Sequence, residues 1–247
     1  VNEGKPGKVL HRAAVIGGIL IAAAIIVLYT PWVRVFDLRR IVVKGNYYTP
    51  VEQIRDSSGI QEGVGLLRAP LTRARDLLLQ LPWVMEVNFR RLFPHTLEVT
   101  VRERSPIALI TDHNQSKRPI VLGEDGVIIG YTQEVSSDFV WLTGVTISEA
   151  ASGRKTVTSD IVDAVCSLDR QGLGSDLFPR IDFSDPDAVI MYTSDEGEVI
   201  LGPLSQIEDR IDELAALLNT IELENYQTID LRFGGEAILV PRKVVNR

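Results

Sequence analysis

Residues 81–110, LPWVMEVNFRRLFPHTLEVTVRERSPIALI, constrain the fold of this chain more than any other stretch, because they spell two half-buried strands around a tight turn. Val87 and Phe89 alternate with Glu86, Asn88 and Arg90, and Leu97, Val99 and Val101 alternate with Glu98, Thr100 and Arg102. A period of two sends one set of side chains toward a core and the other toward water. Phe93-Pro94-His95-Thr96 supplies the turn, since proline presets φ and has no N–H to offer a ladder. Pro82 and Pro106 bracket the hairpin.

The segment far upstream has a different character. From residue 13 to residue 29 no side chain is charged or strongly polar. At ~1.5 Å per residue the run covers about 25 Å, and Val9 and Leu10 extend it toward the ~30 Å of a hydrocarbon core. Arg12 then lies near the headgroups, and Trp32, after Pro31, suits the opposite interface. The run ends Val27-Leu28-Tyr29-Thr30-Pro31, a poor cleavage site for a signal peptide, and it is apolar on every face, unlike a soluble core helix. The spacing predicts a transmembrane helix over 13–30. Lys5, Lys8 and Arg12 place residues 1–12 in the cytoplasm and the body of the chain outside.

That body is acidic. Three of the 26 basic residues and one of the 33 acidic residues precede Ala13, which leaves the remainder at −9. Such a surface argues against nucleic acid as the main partner, because phosphate neutralisation needs basic side chains. The single cysteine, Cys166, excludes an intrachain disulfide and a multi-cysteine metal site. It sits in an apolar helical pattern and reads as a small core residue.

Between residues 38 and 104 the pattern is strand, helix, helix, strand, strand. Leu38 to Val43 forms the first strand, ended by Lys44-Gly45-Asn46. Thr49-Pro50-Val51-Glu52 reads as a capping box opening a helix. A second helix, from about Pro70 to Gln80, places Leu71, Ala74, Leu77, Leu78 and Leu81 on one face. The prediction is a small α+β layer: a three-stranded sheet with two helices on one side and strand edges open to another polypeptide.

Several short motifs here resemble a known family. Phe36-Asp37-Leu38 leads into Ile41-Val42-Val43-Lys44-Gly45-Asn46, then come Leu81-Pro82-Trp83-Val84, Phe93-Pro94-His95-Thr96-Leu97 and Glu103-Arg104-Ser105-Pro106-Ile107-Ala108. Together they look like a POTRA domain, over 36–105. Preceded by one membrane helix, the arrangement resembles the FtsQ/DivIB family of bacterial cell-division proteins.

After Pro106 the chain becomes a series of short strands with two helices, a second β-rich domain over 106–241 before a tail at 242–247. One helix runs from about Thr158 to Arg170, with a glycine cap at Gln171-Gly172. The other opens at Ser205-Gln206-Ile207-Glu208, a second capping box, and places Ile207, Ile211, Leu214, Leu218 and Ile221 on one face. The chain closes with Thr228 to Phe233, a Gly234-Gly235 turn and Ala237 to Val240, the terminal hairpin that the resemblance places there.

The search for chemistry is mostly negative. The three histidines, His11, His95 and His113, fall at the membrane, in the hairpin turn and in a loop. No HExxH, GxSxG or phosphate-loop pattern occurs. Asp182, Asp185 and Asp187 suit a turn between strands better than a metal site. Neither a cofactor nor a small-molecule substrate is expected. Arg39, Arg40, Arg90 and Arg102, with Arg91 and Arg104 nearby, read as the solvated face of the first domain's sheet or as a docking patch for an acidic partner or lipid headgroups.

The resemblance implies a non-enzymatic divisome scaffold at the septum of the inner membrane. Its partners would be bitopic FtsB- and FtsL-type proteins and, through them, the septal peptidoglycan synthase pair FtsW and FtsI. Binding would proceed by β-strand addition at the terminal edge. Leu231, Arg232, Phe233, Ala237 and Leu239 are expected in or beside that surface, with Arg232 pairing a partner carboxylate and Phe233 as an apolar anchor. The alternative is a POTRA-containing secretion component or a membrane-anchored envelope hydrolase.

Overall fold

The computed structural model describes residues 15–25, 36–111, 118–132 and 137–242. The predicted cytoplasmic stretch 1–12 with His11, the turn at 112–115 with His113, and residues 243–247 of the predicted tail lie outside these. Within the predicted membrane segment, residues 15–25 form a helix (α1) with exposed aliphatic side chains such as Ile16, Ile19 and Leu20. Among the described residues no helix is long and apolar enough to cross a membrane. The rest of the predicted span lies outside them.

The chain divides into two compact units between Glu103 and Arg104, and Pro106 is the first residue of a strand. The first unit runs β1 (Arg40–Lys44), α2 (Val51–Ser57), α3 (Leu71–Leu78), β2 (Val84–Leu92) and β3 (Thr96–Glu103). The sheet order is β1-β3-β2. The helices provide the long crossover that lets β1 lie parallel to β3, while the turn at Phe93 to Thr96 makes β2 antiparallel to it. Central position explains why Leu97, Val99 and Val101 of β3 are all buried, over a core shared with Leu38, Ile41, Ile54, Leu66 and Leu78. Gly45 ends β1 at φ +79°, and a Cβ there would stand 2.2 Å from the Val101 carbonyl oxygen, so only glycine fits.

The start of α2 corrects the predicted capping box. The helix follows Pro50 with no side-chain cap. The preceding turn is held by Glu103 instead, whose carboxylate accepts the N–H groups of Tyr47, Tyr48 and Thr49, each at 2.7 Å. An ionised carboxylate with two oxygens satisfies donors that one hydroxyl cannot. Burial raises the Glu103 pKa, but the Thr49 side chain and these backbone donors outweigh it and hold it below the usual glutamate value. Arg104, the next residue, does not join the solvated sheet face. It is buried, and its Nε lies 2.9 and 3.1 Å from the two carboxylate oxygens of Asp125 in the second unit.

The second unit is built on a nine-stranded sheet ordered β14-β13-β12-β11-β10-β7-β4-β5-β6. Its strands are β4 (Pro106–Ile110), β5 (Ile120–Gly123), β6 (Ile128–Tyr131), β7 (Val140–Thr143), β10 (Arg180–Asp182), β11 (Val189–Tyr192), β12 (Glu198–Gly202), β13 (Tyr226–Asp230) and β14 (Ile238–Pro241). A small separate hairpin joins β8 (Ser148–Glu149) and β9 (Lys155–Thr156). One register row crosses seven strands as Ile110, Leu142, Ile181, Met191, Val199, Ile229 and Leu239. That row packs with Ile161, Val165 and Leu168 of α4 (Ser159–Arg170) and Ile207, Ile211 and Leu214 of α5 (Ile207–Leu218) in one hydrophobic core.

The second predicted capping box is also absent. Leu204–Gln206 is a single 3₁₀ turn, and Gln206 precedes α5 without a side-chain cap, its Oε1 accepting from Arg210 Nη2 at 3.1 Å instead. Cys166 is only partly buried on α4 rather than in the core, and burial, with the charge of Asp163, pushes its thiol pKa up. Asp182 and Asp185 each accept the backbone N–H two residues on, from Ser184 and Asp187, both at 2.9 Å, which makes them turn residues between β10 and β11.

Candidate partner-binding edge

Strand β14 ends the nine-stranded sheet and is paired on one side only, with β13. Alternation along it separates two roles. Leu239 stands opposite Ile229 and packs against the core, whereas Ile238 and Val240, opposite Asp230 and Thr228, are 49% and 46% exposed. An edge strand with open backbone groups and two exposed β-branched side chains is a template for another strand.

The loop from β13 to β14 is braced from within. Asp230 is buried, and its carboxylate accepts three groups of Arg232: the backbone N–H at 3.0 Å, Nε at 3.0 Å and Nη2 at 2.6 Å. The Arg232 bond, against the opposing effect of burial, holds the Asp230 pKa below the usual aspartate value. Leu231 is buried, and its N–H donates to the Ile200 carbonyl at 2.9 Å. Gly234 and Gly235 turn the chain at φ +46° and +78°. A Cβ on Gly234 would stand 3.4 Å from Nη2 of Arg210, a mostly buried arginine whose Nη1 donates to Glu213 at 2.7 Å. Beyond β14, Arg242 donates from Nη1 to the Asp195 carbonyl at 2.8 Å and from Nε to the Tyr226 carbonyl at 3.2 Å.

The five residues singled out from sequence therefore separate. Leu231 and Leu239 face the core. Arg232 is engaged by Asp230 through Nε and Nη2, with its side chain 45% exposed. Phe233 and Ala237 are exposed in the loop rather than on a strand, with the Arg232 guanidinium 5.8 Å from the centre of the Phe233 ring. Ile238 and Val240 carry the exposed apolar edge that sequence reasoning passed over. Ala237 to Val240 is an unbroken apolar run, so the sequence carries no alternation that tells the open face from the covered one.

In the first unit, Arg40, Arg90 and Arg102 lie on the sheet face opposite Ile41, Val99 and Val101, and Arg39 precedes β1, where its N–H donates to the His95 carbonyl at 2.9 Å. All four arginines are exposed. Acidic residues interleave them: Arg90 stands opposite Glu98, itself paired with Lys44, and Arg102 lies 3.6 Å from Glu86. The face carries mixed charge rather than a basic patch.

Comparison with known proteins gives these two units a setting. Residues 36–104 match the family model described as POTRA domain, FtsQ-type. Over 241 residues the chain is 24% identical to the cell division protein FtsQ of Geotalea daltonii, covering 95% of this chain and 86% of that protein. Over 209 residues it is 25% identical to FtsQ of Corynebacterium glutamicum, covering 83% of this chain and 89% of that protein. A cell division protein DivIB of Clostridium acetobutylicum is 24% identical over 119 residues, covering 48% of this chain and 47% of that protein.

Proposed function

We propose, taking the chain as a member of the FtsQ/DivIB family of cell-division proteins, that it is a non-enzymatic divisome scaffold which receives a partner strand on the outer edge of β14. The single observation that carries this reading is that edge: paired on one side, with Ile238 and Val240 exposed. Backbone hydrogen bonds supply the affinity of strand addition, and alternate side chains set its register. The partners are bitopic FtsB- and FtsL-type proteins, through which the chain helps recruit or regulate the FtsW/FtsI septal synthase. Residues 13–30 anchor it in the inner membrane, with both units outside the cytoplasm at the septum. The exposed arginines of the first unit's sheet serve as a secondary contact.

Substituting Ile238→Glu together with Val240→Glu tests the reading. The double variant is expected to lose co-purification with the FtsB/FtsL-type pair while its circular dichroism stays that of the parent chain. Depletion is expected to give filamentous cells with incomplete septa. Unchanged co-purification moves the interface off β14, and normal septation overturns the division role.

A further inference from the structure

A groove at the C-terminal end of α5 contains no residue of β14. It encloses about 760 Å³ and is formed within the second unit by three connections: the loop before β10, the turn between β11 and β12, and the segment from α5 to β13. Its apolar wall is Leu177, Leu218, Ile221 and Leu223. Leu177 is 40% exposed, and the other three are only partly covered. Four carboxylates line the same groove, those of Asp176, Asp195, Glu222 and Glu224, and among the described residues no basic side chain lines it.

The charges are available to different degrees. Asp195 is already paired with Arg242 at 2.8 Å. Asp176, Glu222 and Glu224 make no ion pair among the described residues. The negative end of the α5 macrodipole falls on the same wall, since Leu218 is that helix's last residue and Asn219 its cap. The Ser194 hydroxyl, donating to the Asp176 carbonyl at 2.8 Å, ties two of the three connections together.

We infer that this groove is a second docking site, and that it takes a basic amphipathic peptide segment of a partner protein. Arginine or lysine side chains combine the two properties that the walls demand: an aliphatic stem to lie on leucine and isoleucine, and a cationic head for the carboxylates. The complementarity steers the encounter as well as holding the bound segment. None of the lining residues belongs to β14, but Asp195 is bonded to Arg242 just beyond that strand, so the groove and the edge are neighbours.

The probe is a fluorescently labelled ten-residue peptide alternating arginine with leucine, titrated onto the full chain at physiological salt and followed by anisotropy. Two peptides of the same length serve as controls, one with lysine and serine, the other with glutamate and leucine. Binding is expected for the first peptide, with at least tenfold weaker binding for each control. Glu222→Gln with Glu224→Gln is expected to weaken binding at least tenfold, and Leu177→Ser several-fold, while Ile238→Glu leaves it unchanged. Equal binding of the lysine–serine peptide would reduce the groove to a non-specific acidic surface. Undiminished binding by the glutamine variant would move the site elsewhere. Self-association in light scattering that Leu177→Ser abolishes would assign the groove to a second copy, and a gain of affinity on deleting residues 243–247 would assign it to the chain's own end. Any of these four results overturns the inference.

Discussion

Arg232 and Asp230, separated only by the buried Leu231, clasp each other at the exit of β13, with Nη2 2.6 Å from Oδ2 and the Arg232 N–H 3.0 Å from Oδ1. The clasp fixes the loop that leads into the edge strand. Replacing Asp230 by Asn keeps the shape and removes the charge, so the expected loss is about 1 kcal/mol of stability. The pH dependence has a definite sign. Folding lowers the Asp230 pKa, so its contribution is whole above the unfolded aspartate value of about 4 and fades as pH falls through the lower folded value. Thermal melts of the parent chain and Asp230→Asn between neutral and strongly acidic pH are expected to converge at the acid end.

Glu103 gives the corresponding prediction for the first unit. It collects the N–H groups of Tyr47, Tyr48 and Thr49 on one carboxylate, and its pKa is lowered although burial alone would raise it. Glu103→Ala is expected to cost about 1–3 kcal/mol and to raise amide exchange in residues 46–49. Nuclear magnetic resonance titration of the parent is expected to place this carboxyl below the reference glutamate value of about 4.3. Its stabilisation is lost as pH falls through that folded value. An unshifted titration would show that the three donors face water instead.

Both carboxylates mark where sequence reasoning stopped. The strands around Phe93 to Thr96 were legible because alternation is local, and the helix faces of α3, α4 and α5 because apolar spacing is local too. The order β1-β3-β2 with its parallel pair is consistent with strand, helix, helix, strand, strand. The capping boxes failed because they are decided by competition: Glu103 reaches the turn before α2 from 54 residues away in sequence, and Gln206 engages Arg210. Arg104 was misread for a related reason. Period two places it no better than Arg102, and only the fold brings Asp125 to it. The same limit applies to the partner edge, where β14 takes an end position through pairings that no single strand reveals.

Arg104 and Asp125 form the most deeply buried ion pair among the described residues of the second unit, with the arginine side chain 1% exposed. Removing one member costs more than the pair itself contributes, because a guanidinium loses its carboxylate away from water. Asp125→Ala is therefore expected to destabilise the second unit by about 3 kcal/mol, seen as faster hydrogen exchange in β5 and β6. Arg104→Met with Asp125→Ala is expected to recover part of that loss, because Asp125 also accepts the Val127 N–H at 3.3 Å. If the double variant is as unstable as the single, the pair contributes shape that a methionine cannot replace.

The division of labour along β14 supports a prediction in which folding and binding come apart between adjacent residues. Leu239 packs on the core opposite Ile229, while Val240 beside it is 46% exposed. Leu239→Ala removes packed methyl groups from a half-buried site, so it is expected to cost about 1–2 kcal/mol of stability. Val240→Glu alters an exposed position and is expected to change stability by no more than about 0.5 kcal/mol. Binding follows the opposite order if a partner strand pairs with this edge. The glutamate places an unpaired charge where the incoming strand must exclude water, which is expected to weaken co-purification sharply, whereas Leu239→Ala, assayed where the chain remains folded, retains it. Melting temperature and partner capture measured on the same two variants decide the matter, since a strand serving only as the end of the sheet would show both losses at Leu239 and neither at Val240.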